Sequence, residues 1–200
     1  MSTIRKTQMP DPTLVHPEPV VPETRAGAAF RYVAAATRLS IGWVFLWAFL
    51  DKLLALGFST GRDPETGAVD RFGDAAWING ASPTEGFLQF GTEGKVLHDV
   101  FASGFFAGAW ADWVFMLGLL GLGLSLILGI GMRIGAVSGS LLLVFMWLAE
   151  LRLENNPFMD DHIVYALVIV MLTLAGAGHT LGLGKQWEKL PVVARNPWLR

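Results

Sequence analysis

In "LWAFLDKLLALGF", residues 46–58, Asp51 and Lys52 sit side by side inside an otherwise apolar run. Two more charged groups stand at the ends of similar runs. Glu150 and Arg152 close one, and Asp160, Asp161 and His162 open another in "NNPFMDDHIVYAL". Carboxylates beside an imidazole can exchange protons with a substrate. Paired with Lys or Arg, they can instead form an ion-pair network. Asp51, Glu150, Asp161 and His162 are therefore the candidate acid–base groups, while Asp51, Lys52, Glu150, Arg152 and Asp160 make up a candidate structural layer. Both readings require helices that bring these residues together.

The composition identifies the medium those helices occupy. Of 200 residues, 52% are hydrophobic and 16% charged, against roughly a quarter charged in soluble domains. The apolar residues gather in four stretches, 34–57, 113–132, 134–151 and 163–182. Each has about the 20 residues that cross a ~30 Å hydrocarbon layer. Without water, a spanning segment must satisfy its own backbone, so each stretch is expected to be a helix. The expected fold is an all-α integral membrane four-helix bundle, residues 31–184, with a helical extracytoplasmic loop, 58–112, between helices one and two. Residues 1–30 form a polar, proline-rich tail and 185–200 a second tail. The first 27 residues carry five of the ten prolines and have no apolar core of a signal peptide.

Lys and Arg set the orientation. With the N-terminus cytoplasmic, the inner side holds ten bases and four acids and the outer side five bases and thirteen acids, a balance of +6 against −8. Both termini are therefore expected inside. Arg38 then enters the bilayer from the inner face, and Asp51, 13 residues on, lies about 20 Å further along the axis. This puts Asp51 and Lys52 in the outer third of helix one, level with Glu150 and Arg152 and with Asp160 or Asp161 as the N-cap of helix four. A charge in the bilayer costs at least ~2.5–3.5 kcal/mol near its centre. Asp51 is therefore expected to face Arg152 or His162, with Lys52 snorkelling outward.

Small residues four apart, Ser125/Gly129, Gly135/Gly139 and Gly178/Gly182, suit close helix packing. In the long loop, Ser82-Pro83-Thr84-Glu85 predicts a capped short helix from Pro83 to about Phe90. An amphipathic second helix is expected over 94–106, with Trp77, Phe87, Phe101, Phe106, Trp110 and Trp113 forming an interfacial cap. The loop holds eight acids and three bases, which does not concentrate dianions.

Zero cysteines exclude disulfide exchange, thiolate zinc sites and protein-ligated iron–sulfur clusters. There is no phosphate-binding glycine motif. His162 and His179, about 25 Å apart on one expected helix, cannot share a haem. His98 and His162 lack the fixed spacing of a metal pair, so no metal site is expected. His179 is expected to cap the inner end of helix four. No nucleic-acid partner is expected either.

"RLSIGWVFLWAFLDKL" and "NPFMDDHIVYALVIVMLTLAGAGHTLGLGKQW", with the "GASPTEGFLQFGTEG" loop and the glycine-rich middle helices, resemble the DoxX/DoxD family of four-helix membrane proteins over about residues 36–190. The resemblance implies a multi-pass protein of a prokaryotic cell membrane. It also implies either a membrane subunit of a quinone-linked system, with thiosulfate:quinone oxidoreduction among the family's activities, or a non-catalytic accessory subunit of a larger respiratory complex. No cofactor held through protein ligands is expected; a quinone, with Trp43, Trp47, Phe145, Trp147 and Tyr165 near the carboxylates, is the candidate. The partners are then the lipid bilayer and other membrane or respiratory subunits, contacted through the N-terminal arm and "KLPVVARNPWLR", which equally suits the inner leaflet.

The orientation is directly testable. Reporter fusions at Gly73 and Arg200 are expected to score outside and inside respectively; the reverse pattern, or both on one side, contradicts it.

Overall fold

The computed structural model describes residues 24–103, 105–106, 108–153 and 156–200. Most of the proline-rich tail therefore lies outside the described residues. Among those described, every regular element is helical, and Arg62 and Val69 form a lone antiparallel bridge. The helices are α1 (Arg25–Leu54), α2 (His98–Phe101), α3 (Ala109–Leu128), α4 (Met132–Ala149), α5 (Asp161–Leu174), α6 (Gly184–Trp187) and α7 (Pro191–Arg195).

Three of them, α1, α3 and α4, are long and apolar enough to cross a membrane. Their outward positions carry Trp43, Val44, Leu117, Val137 and Leu141, all exposed, which suits lipid rather than water. α1 starts at Arg25, inside the stretch read as tail, because Thr24 supplies an N-cap: its hydroxyl accepts from Gly27 N at 3.1 Å. At 30 residues α1 is about 45 Å long, more than one hydrocarbon thickness.

The fourth apolar run departs from expectation. α5 has 14 residues, about 21 Å, and stops at Leu174 rather than continuing to Gly182. Gly176 takes a positive φ of 63°, leading into a 3-10 turn at 177–179. His179 does not cap the helix; its Nε2 lies 3.0 Å from Glu188 Oε1. The C-terminal segment folds back as α6 and α7, with Val193 fully buried. Trp187 Nε1 donates to Leu199 O at 2.6 Å and Arg133 donates to Pro197 O at 2.8 Å. This segment packs against the protein rather than standing free as an arm.

α1 packs on α3, α3 on α4, and α4 on α5, with α5 touching α1. Phe45, Met116, Leu119, Leu122, Leu126, Leu143, Ile169 and Leu172 fill the shared core. Glycines set the approach. A Cβ on Gly123 would meet the Leu46 backbone at 2.8 Å, and one on Gly139 would meet Leu122 at 2.7 Å. Gly135 and Gly139 thus act as the small-residue spacing predicts. Gly129 and Gly178 serve differently, as turn positions pressed backbone to backbone, where an added Cβ would lie 2.6–2.7 Å from the opposite carbonyl oxygen.

At that contact lies Arg38, with no exposed surface. All five N–H bonds of its guanidinium have an acceptor. Nε donates to Ala177 O (3.2 Å), one terminal nitrogen to Leu126 O and to Ile127 O (2.9 Å), and the other to Thr180 O (3.2 Å) and Leu181 O (2.9 Å). Leu126 and Ile127 belong to the last turn of α3, whose carbonyls have no partner within the helix. The others belong to the irregular chain after α5. Arg38 is therefore a clamp joining α1, α3 and the end of α5.

Each buried carbonyl left without a donor costs about 1–3 kcal/mol. Arg38→Leu is accordingly expected to destabilise the protein by at least ~3 kcal/mol in detergent unfolding, against no measurable change for the exposed Ser40→Ala. Arg38→Lys, which keeps the charge but loses the planar fork, should recover only part. Equal stability of Arg38→Leu and Ser40→Ala would contradict the clamp.

Candidate functional site

The end of α1 explains the adjacent charges at 51 and 52. Ala55 ends the helix in the left-handed region (φ 50°), and the chain turns back through Gly57 (φ 90°), where a Cβ would strike Val69. That turn delivers Phe58 N and Ser59 to Asp51, which is 1% exposed. The carboxylate accepts from Phe58 N at 3.1 Å, Ser59 N at 2.8 Å and Ser59 Oγ at 2.7 Å, and Lys52 Nζ reaches Ser59 Oγ at 3.2 Å. Asp51 faces neither Arg152 nor His162. It is bound by its own loop, because donors seven and eight residues away reach it without any helix having to move.

The remaining predicted residues do meet. Glu150 is the C-cap of α4. Asp160, of the two aspartates considered, is the N-cap of α5: Oδ1 accepts from Ile163 N at 3.2 Å. Its Oδ2 lies 2.8 Å from His162 Nδ1, and Asp161 Oδ1 lies 3.7 Å from that same nitrogen. Glu150, Asp160 and His162 each present a donor atom within 4.8 Å of the others. Glu150 and Asp160 line an open cavity of about 900 Å³, walled also by Glu93, Lys95, Arg152, Asn156 and Asp161. The long loop is tied to this end of α4: Val96 N donates to Leu151 O at 3.2 Å, Arg152 to Gly94 O at 3.2 Å, and Lys95 Nζ to Arg152 O at 3.4 Å. The expected single layer is thus divided, with Asp51 and Lys52 in one clasp and Glu150, Asp160, Asp161 and His162 in another site beside Arg152.

The loop itself is less helical than its pattern suggests. Ser82 does cap its turn, accepting from Glu85 N at 3.1 Å, but the chain then enters a π-helical turn, Gly86–Gly91. Of the helix expected over 94–106, only α2 forms. His98 is held within the loop, Nδ1 2.9 Å from Thr92 Oγ1. The loop's anchor is Asp112, a buried residue that the sequence pattern distinguishes only as one of the loop acids. Asp112 Oδ1 accepts from Ser82 Oγ (2.8 Å), Thr84 Oγ1 (2.6 Å) and Thr84 N (3.1 Å). Its place in the first turn of α3 was the available signal, since a carboxylate there suits the helix dipole.

With the loop pinned, a second cavity of about 300 Å³, also open to one side, lies between it, α3 and α4. Phe87, Leu88, Phe106, Trp110, Phe145 and Met146 line it, and Lys52 stands on its wall. Of the five aromatics expected around a quinone, only Phe145 is there. Trp43 stacks near Trp47 at 5.7 Å, Tyr165 meets Phe45 at 6.3 Å, and Trp147 donates to Phe158 O at 2.8 Å.

No family model matches this chain, and no curated protein and no solved structure matches it. Its chemistry is therefore to be read from its own residues: one apolar cavity with a cation at its wall, and one open cavity with clustered carboxylates and an imidazole.

Asp51→Asn removes the charge that three donors address. The clasp predicts a loss of about 1–3 kcal/mol, seen as a lower melting temperature in detergent, and Ser59→Ala should give a smaller loss in the same direction. An unchanged melting temperature in Asp51→Asn would show that the turn does not depend on the clasp.

Proposed function

We propose that the chain is a four-helix membrane protein, with both termini cytoplasmic and residues 55–108 roofing its outer end. It acts as the membrane subunit of a quinone-linked redox system in a prokaryotic cell membrane. The observation that carries this reading is the apolar cavity under the loop. Its walls of Phe87, Phe106, Trp110 and Phe145 suit a flat ring, and Lys52 is the one charged residue on them among the described residues. Cavities of about 300 Å³ and above, mostly apolar with few polar groups, are the usual form of small-molecule sites. Reduction of a quinone to a quinol takes up two electrons and two protons. The electrons come from a partner subunit and the two protons from solvent water, with Lys52 on the cavity wall orienting a carbonyl oxygen. The resemblance to the DoxX/DoxD family supports the same reading and makes thiosulfate the candidate electron source. The acid excess of the loop favours handling of that dianion by the partner.

A second reading, a non-catalytic accessory subunit of a larger respiratory complex, has its own support. Phe58, Phe72, Ile78 and Phe105 are all exposed on the loop, and such an apolar surface suits docking against another subunit.

Binding of a short-chain benzoquinone to the purified protein in detergent tests the first reading. The wild type is expected to bind it stoichiometrically. Met146→Trp, which fills the cavity, and Lys52→Met should each weaken binding tenfold or more, about 1.4 kcal/mol. Absence of binding, or equal binding by both variants, would leave the accessory reading in its place.

A further inference from the structure

From the other cavity we infer that Glu150, Asp160 and His162 hold a divalent first-row transition-metal ion, a site independent of the quinone reading. The three residues come from two helix ends that face one another, the C-cap of α4 and the first turn of α5, and their donor atoms lie within 4.8 Å of one another. Oxygen and nitrogen ligands on one such ion, each at ~2.0–2.2 Å, are at most about 4.4 Å apart. In a tetrahedral set they are about 3.3–3.6 Å apart, so the side chains close by up to about 1.4 Å to complete it.

The charge distribution points the same way. Asp160 and Glu150 are half-buried carboxylates side by side. The two bases of the cavity form no ion pair with them among the described residues: Arg152 donates to Gly94 O and Lys95 to Arg152 O. The Glu150 side chain has no hydrogen bond or ion pair among the described residues. A dication neutralises both carboxylates, and takes the position between Asp160 Oδ2 and His162 Nδ1 that a shared proton occupies at 2.8 Å. Asp160 Oδ1 stays on Ile163 N, so the carboxylate is oriented before any ion arrives. The imidazole makes Zn²⁺, Mn²⁺ or Fe²⁺ the fitting class, and the hard ions Mg²⁺ and Ca²⁺ poor ones. Three protein ligands leave further positions facing the 900 Å³ cavity, the open arrangement of catalytic rather than structural sites.

The test uses the purified full chain, stripped with chelator. Zn²⁺ titrated calorimetrically is expected to bind at one equivalent and raise the melting temperature, while Mg²⁺ does neither. Glu150→Gln and His162→Gln should each weaken Zn²⁺ binding tenfold or more; His179→Gln, in the other histidine–carboxylate pair, should leave it unchanged. X-ray absorption at the zinc edge of the wild type removes dependence on variant folding, and should show one imidazole nitrogen with the remaining donors oxygen. No stoichiometric binding, loss of binding in His179→Gln in place of His162→Gln, or a first shell with no imidazole or more than one would overturn the assignment.

Discussion

The guanidinium of Arg38 is the interaction on which the rest of the packing depends. A buried cation is costly, and no carboxylate approaches this one within ion-pair distance among the described residues. Its compensation is dipolar: five carbonyls, two of them from the negative end of α3. The glycines around it exist for that geometry. A Cβ at Gly182 would lie 2.5 Å from Gly178 O and 3.0 Å from the Arg38 guanidinium, so any larger residue would push the clamp apart. This also accounts for the short α5. Irregular buried backbone is tolerated only where its polar groups are satisfied, and the carbonyls of Ala177, Thr180 and Leu181 find their donors on one side chain.

At the opposite end of α1 the same logic recurs with reversed sign. Asp51 gathers N–H and O–H donors of the turn that leaves the helix, as Arg38 gathers carbonyls. Asp112 does so again at the start of α3, holding Ser82 and Thr84 and hence the loop over the apolar cavity. These three charges are consumed in satisfying backbone and hydroxyl groups. Glu150 and Asp160 differ in that they line the open cavity, although Asp160 also caps α5, and the bases on its wall bond to carbonyls rather than to them. That contrast separates the groups that hold the fold from those available for chemistry.

The long apolar runs were legible in the sequence because hydropathy is a sum over many residues, and so were the caps at Ser82 and Asp160, which depend on neighbours three residues away. Gly135 and Gly139 were legible for the same reason. Arg38 was not: on a hydropathy profile it marks a boundary, and its acceptors lie 88 to 143 residues away in the chain. Asp51 takes its donors from the turn following α1, which charge complementarity between helices does not reveal. The end of α5 was missed because "LAGAGHTLGLG" stays apolar past the point where Gly176 reverses the backbone. The 94–106 pattern is amphipathic over more residues than fold as helix: Leu97, Phe101 and Phe106 pack in the cluster with Leu148 and Ala149, while Val96, Val100 and Phe105 stay exposed.

Solid-state nuclear magnetic resonance of the arginine-labelled protein in bilayers tests the clamp most directly. The account predicts one guanidinium, that of Arg38, with all its N–H protons protected from exchange and through-space contacts to the carbonyl carbons of Leu126, Ile127, Ala177, Thr180 and Leu181. A freely exchanging Arg38 guanidinium in contact with lipid headgroups would contradict it.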